Sequence, residues 1–124
     1  MTPSKPPPRT NTRRNLRVPI RVEVTHENET SRGYAINISP TGMGLQSIEP
    51  HKPGVRLSLR FRFTDVDPWI ELDAEVIWCM HDTDLGPGMT YYELGVRYLS
   101  VPPSVQEQLE GFVARLVRDR SYAP

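Results

Sequence analysis

The stretch Asn37-Ile38-Ser39-Pro40-Thr41-Gly42 separates two runs of alternating apolar residues and predicts a tight corner between two strands. Pro40 presets a turn, and Gly42 permits a positive φ or a close backbone approach. If the strand is still extended at Asn37 and Ser39, both polar side chains leave by the same face. Two interpretations remain open for this corner. It is a hairpin connection whose polar side chains cap their own backbone, or it is a surface on which a ligand rests.

Alternation of apolar and polar residues continues on both sides of this corner and predicts six strands. Polar residues 26–31 predict the first turn, and residues 49–54 and 81–90 predict loops. Pro19 predicts that the first strand starts at a sheet edge. The residues predicted to face the core are Val18, Ile20, Val22 and Val24, then Tyr34, Ile36 and Ile38, then Met43 and Leu45, then Leu57, Leu59, Phe61 and Phe63, then Ile70, Leu72, Ala74, Val76, Trp78 and Met80, and finally Tyr92, Leu94, Val96 and Tyr98.

Charged residues fill the outer positions of two successive predicted strands. The first carries arginines and the second carries carboxylates, so antiparallel pairing would place opposite charges across from one another. Such pairs favour one register by fractions of a kcal/mol, up to about 1 kcal/mol each. The residues concerned are Arg56, Arg60 and Arg62 on the first strand and Glu71, Asp73 and Glu75 on the second.

The C-terminal segment predicts one amphipathic helix over about 104–119. Ser104 is a candidate N-cap, and Glu107 completes a capping box. The apolar stripe consists of Val105, Leu109, Phe112, Val113, Leu116 and Val117. A six-stranded antiparallel β-barrel over about 16–100, plugged or flanked by this helix, is the predicted fold. The alternative is a stripe that pairs with another chain.

Composition limits the possible functions. The chain has 124 residues, which suits a single domain, predicted here over 13–120. Fifteen basic residues balance fifteen acidic ones, so any anion site must be local. Cys79 is the only cysteine, and no apolar run would span a membrane, so we expect a soluble cytoplasmic protein without membrane insertion. The Pro-rich residues 1–12 predict a disordered tail, with recognition as a Pro-rich ligand as the alternative.

An arginine-rich segment, Arg13-Arg14-Asn15-Leu16-Arg17, lies about twenty residues before the corner. The order R-x-x-x-R, strand, D/N-x-S-x-x-G resembles the PilZ domain family, bacterial receptors for cyclic dimeric GMP (c-di-GMP). Two later stretches, residues 74–78 (A-E-V-I-W) and 94–98 (L-G-V-R-Y), also resemble this family. The resemblance extends from about Arg13 to about Leu99. Without the second motif, the arginines would be interpreted as a solvated charge cluster.

The resemblance implies a barrel that binds c-di-GMP and no further cofactor. It implies that an N-terminal arginine loop folds over the ligand while the corner donates hydrogen bonds from the barrel. Arginine suits this ligand because its guanidinium binds phosphate or guanine O6 and N7 and also stacks on bases. Ordering of the loop would pass the signal to an unidentified downstream protein in motility, biofilm or polysaccharide control, from a monomer or a homodimer. The ligand-binding residues carried over are Arg13, Arg17, Asn37, Ser39 and Gly42, with Arg14 as an additional candidate.

Other functions have less support in the sequence. The three histidines fall in different predicted turns and no nucleophile motif is present, so we expect neither catalysis nor a metal site. Trp69 and Trp78 are predicted to be core or barrel-rim residues. A nucleic-acid-binding barrel that uses the arginine stripe is an alternative, which the zero net charge and the opposing acidic strand disfavour. A ligand-free interaction adaptor is the other alternative.

Overall fold

The computed structural model describes residues 14–82 and 91–119 as six strands and one helix. The elements are β1 (Arg14–His26), β2 (Glu29–Ser39), β3 (Gly42–Ser47), β4 (Arg56–Phe61), β5 (Ile70–Asp82), β6 (Tyr91–Leu99) and α1 (Pro103–Asp119). All neighbouring strands are antiparallel. Their order is β1-β2-β3-β6-β5-β4, and pairing of β1 with β4 closes the barrel. The predicted six-stranded barrel with a C-terminal helix is therefore confirmed.

Some predictions fall outside the described part of the chain. These are the disordered tail 1–12, the position of Arg13 and the loop that follows β5. The single-domain boundaries of 13–120 also stay a prediction. Over the residues that the structure describes, no helix has both the length and the apolar character needed to cross a bilayer.

The barrel interior holds most of the residues that alternation predicts to face inward. Burial of this apolar set is the main favourable term in folding. Among the residues that the structure describes, eighteen apolar ones are buried; besides the strand residues they include Leu109 and Leu116 of α1. The predicted inward residues that are buried are Val22, Val24, Ile38, Met43, Leu45, Leu57, Leu59, Phe61, Ile70, Leu72, Ala74, Val76, Leu94, Val96 and Tyr98.

Two β-bulges reverse the alternation in β2 and β5. Ala35 pairs with Leu45 and Asn37 with Gly44, so Ile36 is an extra residue in β2. Val76 pairs with Val96 and Trp78 with Gly95, so Ile77 is an extra residue in β5. A bulge moves every later side chain to the opposite face.

The inward predictions that depended on unbroken alternation are consequently wrong. Tyr34 and Ile36 are only half-buried and lie outside the hydrophobic core, where Ala35 takes the inward position. After the second bulge, Cys79 packs against the core, and the predicted Trp78 and Met80 do not. Period-two patterns carry no mark of an inserted residue, so the sequence could not reveal either change of phase.

One predicted turn also needs correction. The turn expected over 26–31 contains only Glu27 and Asn28, both with positive φ (51° and 70°), between the paired His26 and Glu29. Two positive φ values in a two-residue loop are typical of a type I′ hairpin, which matches the strand twist. The prediction of a sheet edge at Pro19 agrees with the pairing, because β4 pairs with β1 only from Glu23 to Thr25 and pairing with β2 is interrupted between Asn15 and Ile20. The missing N–H of Pro19 is tolerated there.

Helix α1 begins two residues earlier than an N-cap at Ser104 requires, so that prediction is wrong. The N–H of Gln106 donates to the carbonyl of Pro102 at 2.9 Å, which makes Pro103 the first helical residue. Proline suits this position because its missing N–H would have no helical partner there. The Phe112 ring stacks on Phe63 with 4.0 Å between ring centroids and 5° between planes. The apolar stripe thus covers the barrel, as predicted.

Opposite charges face each other across β4 and β5, as the sequence predicts. Arg56 pairs with Glu75 and Arg60 with Glu71 in the strand register. Arg60 Nε lies 3.3 Å from Glu71 Oε2, and its Nη1 lies 3.5 Å from Glu23 Oε1 on β1. Arg62 lies beyond the end of β4 and is 3.9 Å from Asp65. Exposed pairs of this kind are worth less than about 1 kcal/mol each, so they refine the register that the core sets.

Stability is expected to fall as the pH drops below the ordinary histidine pKa of 6.5. His51 has a lowered pKa, first because burial disfavours its charged form and then because His26 repels it, while Glu49 acts in the opposite direction. Its Nε2 is buried and has no hydrogen-bond partner among the described residues. The unfolded chain therefore binds a proton more readily than the folded one, so the contribution is complete above pH 6.5 and is lost as the pH falls through the lowered pKa.

Urea unfolding at pH 7.5 and pH 5.0 measures this effect. We expect His51→Gln to reduce the loss of unfolding free energy by less than about 1 kcal/mol, because the ring is only partly buried. His81→Gln is the control, since His81 is exposed on β5. An identical pH dependence in wild type and His51→Gln would contradict the assignment.

Candidate ligand-binding site

Ser39 stabilises the corner between β2 and β3 through hydrogen bonds within the turn. Its side chain is fully buried, and its Oγ accepts hydrogen bonds from the N–H groups of Thr41 and Gly42, each at 3.2 Å. The same hydroxyl donates to the Gly42 carbonyl at 3.4 Å and lies 3.2 Å from Thr41 Oγ1. The Thr41 carbonyl in turn accepts from the N–H of Tyr98, which fixes the corner to β6. Ser39 therefore shapes the turn, and a direct bond from it to a ligand stays a prediction.

Asn37 lies on the outer face of the barrel, across from Gly44. Its Oδ1 accepts the N–H of Gly44 at 2.8 Å, so the amide orientation is fixed. A Cβ atom at Gly44 would lie 2.8 Å from that Oδ1, which no real side chain allows. The Nδ2 group is the hydrogen-bond donor of this amide, the type of group that binds an acceptor such as a phosphate or guanine oxygen.

Trp78 on β5 lies across from Gly95, just as Asn37 on β2 lies across from Gly44. The bulge at Ile77 turns its indole to the outer face, where the ring lies directly over Gly95. A Cβ atom at Gly95 would overlap the indole. The prediction that Trp78 is a core or rim residue did not anticipate this position.

These residues form one row across four strands. Asn37 pairs with Gly44, Gly44 with Gly95, and Gly95 with Trp78. Residues directly opposite in antiparallel strands share a face, so the row places the Asn37 amide over Gly44 and the Trp78 indole over Gly95, and both glycines are buried beneath these side chains. Three interstrand spacings separate the two ends, about 14 Å along the sheet. We call this row, together with Gly42, the glycine surface.

The glycine surface has the chemistry of a nucleotide platform. The glycines leave room for the two outward side chains to lie flat on the sheet, where an indole face offers stacking to a base. Both bulges lie immediately before the residue that they turn outward, and bulges are frequent next to sites where a side chain has been re-aimed. Two independent bulges, at Ile36 and Ile77, thus place Asn37 and Trp78 on the same outer surface.

The arginine segment approaches this surface from β1. The prediction that this segment forms a loop is wrong from Arg14 onwards, because Arg14 and Arg17 lie within β1. The backbone of Arg14 pairs with Ile38, and Asn15 pairs with Asn37. Beyond that point regular pairing stops until Ile20 meets Ala35. The four residues Leu16, Arg17, Val18 and Pro19 therefore lie opposite Ile36 alone.

The two sequence motifs thus meet at the level of the backbone. Sequence reasoning placed Asn37, Ser39 and Gly42 at the corner and the arginines before it, and strand pairing brings Arg14 and the segment around Arg17 beside Asn37. Arg13 lies outside the described residues. The residues that sequence reasoning missed are Gly44, Gly95 and Trp78. One feature of the sequence could have indicated them: Gly42 and Gly44 alternate with the inward Met43 and Leu45, which leaves two outer positions of β3 without side chains.

Charged side chains border the glycine surface. Arg97 on β6 lies opposite Gly42 on one side and opposite Glu75 on the other. Its Nη2 donates to Glu75 Oε1 at 2.6 Å. Gln46 and Glu93 form the next outer pair, on the other side of Gly44 and Gly95. The border therefore contains both signs of charge.

Other candidate sites are weaker. The His26 and His51 rings are in edge contact, with 5.2 Å between centroids, but the described residues contain no group of three potential metal ligands.

The arginine stripe that favoured nucleic acid is neutralised in part, since Arg60 contacts both Glu23 and Glu71. Trp69 is exposed, with Arg60 Cζ 3.9 Å and Arg62 Cζ 4.4 Å from its ring centroid. It lies at the barrel rim, as predicted.

Comparison with protein families shows to which family this chain belongs. The family model described as "PilZ domain" matches residues 8–115, which is most of the chain. The chain belongs to the PilZ domain family. This PilZ domain includes both motifs, and the match confirms the resemblance carried by its sequence. A comparison with curated protein sequences finds no significant match.

Solved structures of other PilZ proteins have the same fold. The c-di-GMP-bound PilZ domain of Escherichia coli YcgR is 21% identical with a TM-score of 0.74, over 90% of this chain and 93% of that one. The K. pneumonia MrkH complex with c-di-GMP is 18% identical with a TM-score of 0.78, over 92% of this chain and 54% of that one. Bacillus subtilis "Inhibitor of motility (MotI/DgrA)" is 19% identical with a TM-score of 0.72, over 90% and 54%. This PilZ domain thus spans about half of MrkH and MotI.

Proposed function

We propose that this protein is a non-enzymatic cytoplasmic receptor for c-di-GMP. The observation that carries the proposal is the glycine surface, where two bulges turn Asn37 and Trp78 outward over the neighbouring Gly44 and Gly95. A guanine base needs a flat face to stack on and donors for O6 and N7. An indole and an amide at the two ends of one surface meet these needs.

The arginine segment supplies what the glycine surface lacks. Two phosphodiesters require cationic donors. Arg17 lies on a segment whose backbone runs beside Asn37, and Arg13 precedes that segment in the sequence. Guanidinium groups bind phosphate in a bidentate manner and also stack on bases. We assign the ligand contacts to Arg13, Arg17 and Asn37, with Arg14 as a further contact. Ser39 and Gly42 act by shaping the corner, since the Ser39 hydroxyl is already bonded within it.

Ligand binding is proposed to change the arginine segment and so to signal to a downstream protein. The irregular stretch opposite Ile36 lacks regular strand pairing and is therefore the part of β1 least constrained by neighbours. Fixing a residue costs about 1 to 2 kcal/mol of conformational entropy, which ligand contacts would offset. Similarity to a protein described as an inhibitor of motility supports an output in motility, and control of biofilm or polysaccharide is the alternative output.

Isothermal titration with c-di-GMP tests the proposal. We expect saturable binding, with no comparable heat from GMP or from a single-stranded oligonucleotide of equal charge. Native mass spectrometry of the complex then counts one ligand or a stacked pair per chain. Absence of binding to c-di-GMP would reject the receptor function and favour the ligand-free adaptor, whereas salt-sensitive binding to the oligonucleotide would favour the nucleic-acid alternative.

A further inference from the structure

Arg97 lies beside the glycine surface but is turned away from it. On β3 it faces Gly42, whose backbone is buried, and on β5 it faces Glu75. The 2.6 Å bond from its Nη2 to Glu75 Oε1 directs the guanidinium across β5. An unrestrained arginine at this position would reach over Gly42, because its side chain is longer than one interstrand spacing.

The ion pair between Arg97 and Glu75 takes little free energy to break. The Arg97 side chain is 56% exposed and that of Glu75 is 32% exposed. Water and salt screen pairs of this kind, which contribute little to stability. Glu75 also faces Arg56 on β4, so the carboxylate keeps a cationic neighbour when Arg97 leaves. The structure therefore offers Arg97 a second position without leaving a charge uncompensated.

We propose that Glu75 competes with a phosphodiester of the bound ligand for Arg97 and thereby limits the affinity of the site. This inference rests on the proposed function, because it concerns the same ligand. An anion above Gly42 attracts the guanidinium, which binds phosphate through two parallel donors. The Glu75 carboxylate opposes this twice, since it holds the arginine and repels the anion. Glu75 is thus an affinity-setting residue and Arg97 an additional ligand contact.

Two substitutions separate these roles in titrations with c-di-GMP at low and high salt. Glu75→Gln releases Arg97 and is expected to tighten binding about three- to fivefold at low salt, with a smaller gain at high salt. Arg97→Met removes the charge but keeps an apolar stem, and is expected to weaken binding about tenfold. In the Arg97→Met background, Glu75→Gln should have an effect below twofold, because the competition has disappeared.

Glu71→Gln is the matched control. Glu71 is an exposed carboxylate on the outer face of the same strand and pairs with Arg60 at 3.3 Å, away from the glycine surface. The substitution changes the net charge equally, so unchanged affinity in this variant shows that a gain in Glu75→Gln is local. Circular dichroism of each variant verifies the barrel.

Each outcome of the titrations is decisive. Tighter binding in Glu75→Gln that vanishes in the Arg97→Met background supports the inference. Affinity equal to wild type in Glu75→Gln, or an equal gain with Arg97 absent, overturns it while leaving the receptor function intact. Failure of wild type to bind c-di-GMP overturns the receptor function and this inference together.

Discussion

Replacing Arg13 and Arg17 together with alanine is expected to weaken c-di-GMP binding by at least a hundredfold. Hydrogen bonds to a charged group contribute about 1.5 to 3 kcal/mol each, and tenfold in affinity corresponds to about 1.4 kcal/mol. The two arginines supply the main cationic contacts of the proposed site, with Arg14 as a further contact and Arg97 at the border of the glycine surface. Isothermal titration against wild type measures the loss.

The control is a second double variant, Arg21→Ala with Arg32→Ala. Both arginines are exposed and lie in the regular part of the β1–β2 ladder, opposite Tyr34 and Glu23 respectively. The control removes the same charge from the same hairpin, so its affinity should stay within about twofold if the effect is local. Equal losses in the two double variants would point to a long-range charge effect. Wild-type affinity without Arg13 and Arg17 would refute the assigned contacts.

Alanine at Gly95 is the second change with a large expected effect, on both stability and binding. The added Cβ would overlap the Trp78 indole, including its Cδ1 at 2.8 Å, so the ring must leave the surface. Forced displacement of a packed side chain costs about 1 to 3 kcal/mol. We expect the unfolding free energy to fall by this amount and c-di-GMP affinity to fall more than tenfold, since stacking on an aromatic side chain is worth about 1 to 3 kcal/mol per base.

Two further variants make this test specific. Gly111→Ala is the matched control, because its Cβ would meet nothing within 4 Å and lies in α1. We expect that change to stabilise the protein by about 0.5 to 1 kcal/mol through helix propensity and to leave binding unchanged. Adding Trp78→Ala to Gly95→Ala removes the overlap, so the cost of the glycine substitution should shrink in that background. An undiminished cost would show that Gly95 is needed for another reason.

The strands were predictable because each half-buried strand repeats its pattern locally. Alternation identified all six strands, and opposite charges on β4 and β5 identified their pairing, with Arg56 opposite Glu75 and Arg60 opposite Glu71. The amphipathic stripe identified α1 and its partner surface. These features depend on residues close together in the chain, so the sequence contains them directly.

The candidate site was predictable only in part. The motif residues Asn37, Ser39 and Gly42 were assigned to the corner, but the roles of Asn37 and Ser39 differ in a way that the motif does not express. Ser39 is buried and bonded within the turn, whereas Asn37 lies on the outer face. The strand conformation of Arg14 and Arg17 was also missed. Pairing of Arg14 with Ile38 on β2 overrides a polar local sequence, and Arg17 lies in the irregular stretch of the same strand.

By itself, the sequence determined the family, the six strands and helix of a closed barrel, and the two motifs whose arginines and corner define a candidate site for a guanine dinucleotide. Only the tertiary structure decided which side of the barrel Trp78 occupies and that Gly44 and Gly95 lie side by side. The reason is physical: a single inserted residue at Ile36 or Ile77 inverts the faces of everything after it, and it is strand pairing across distant parts of the chain that selects where the insertion goes.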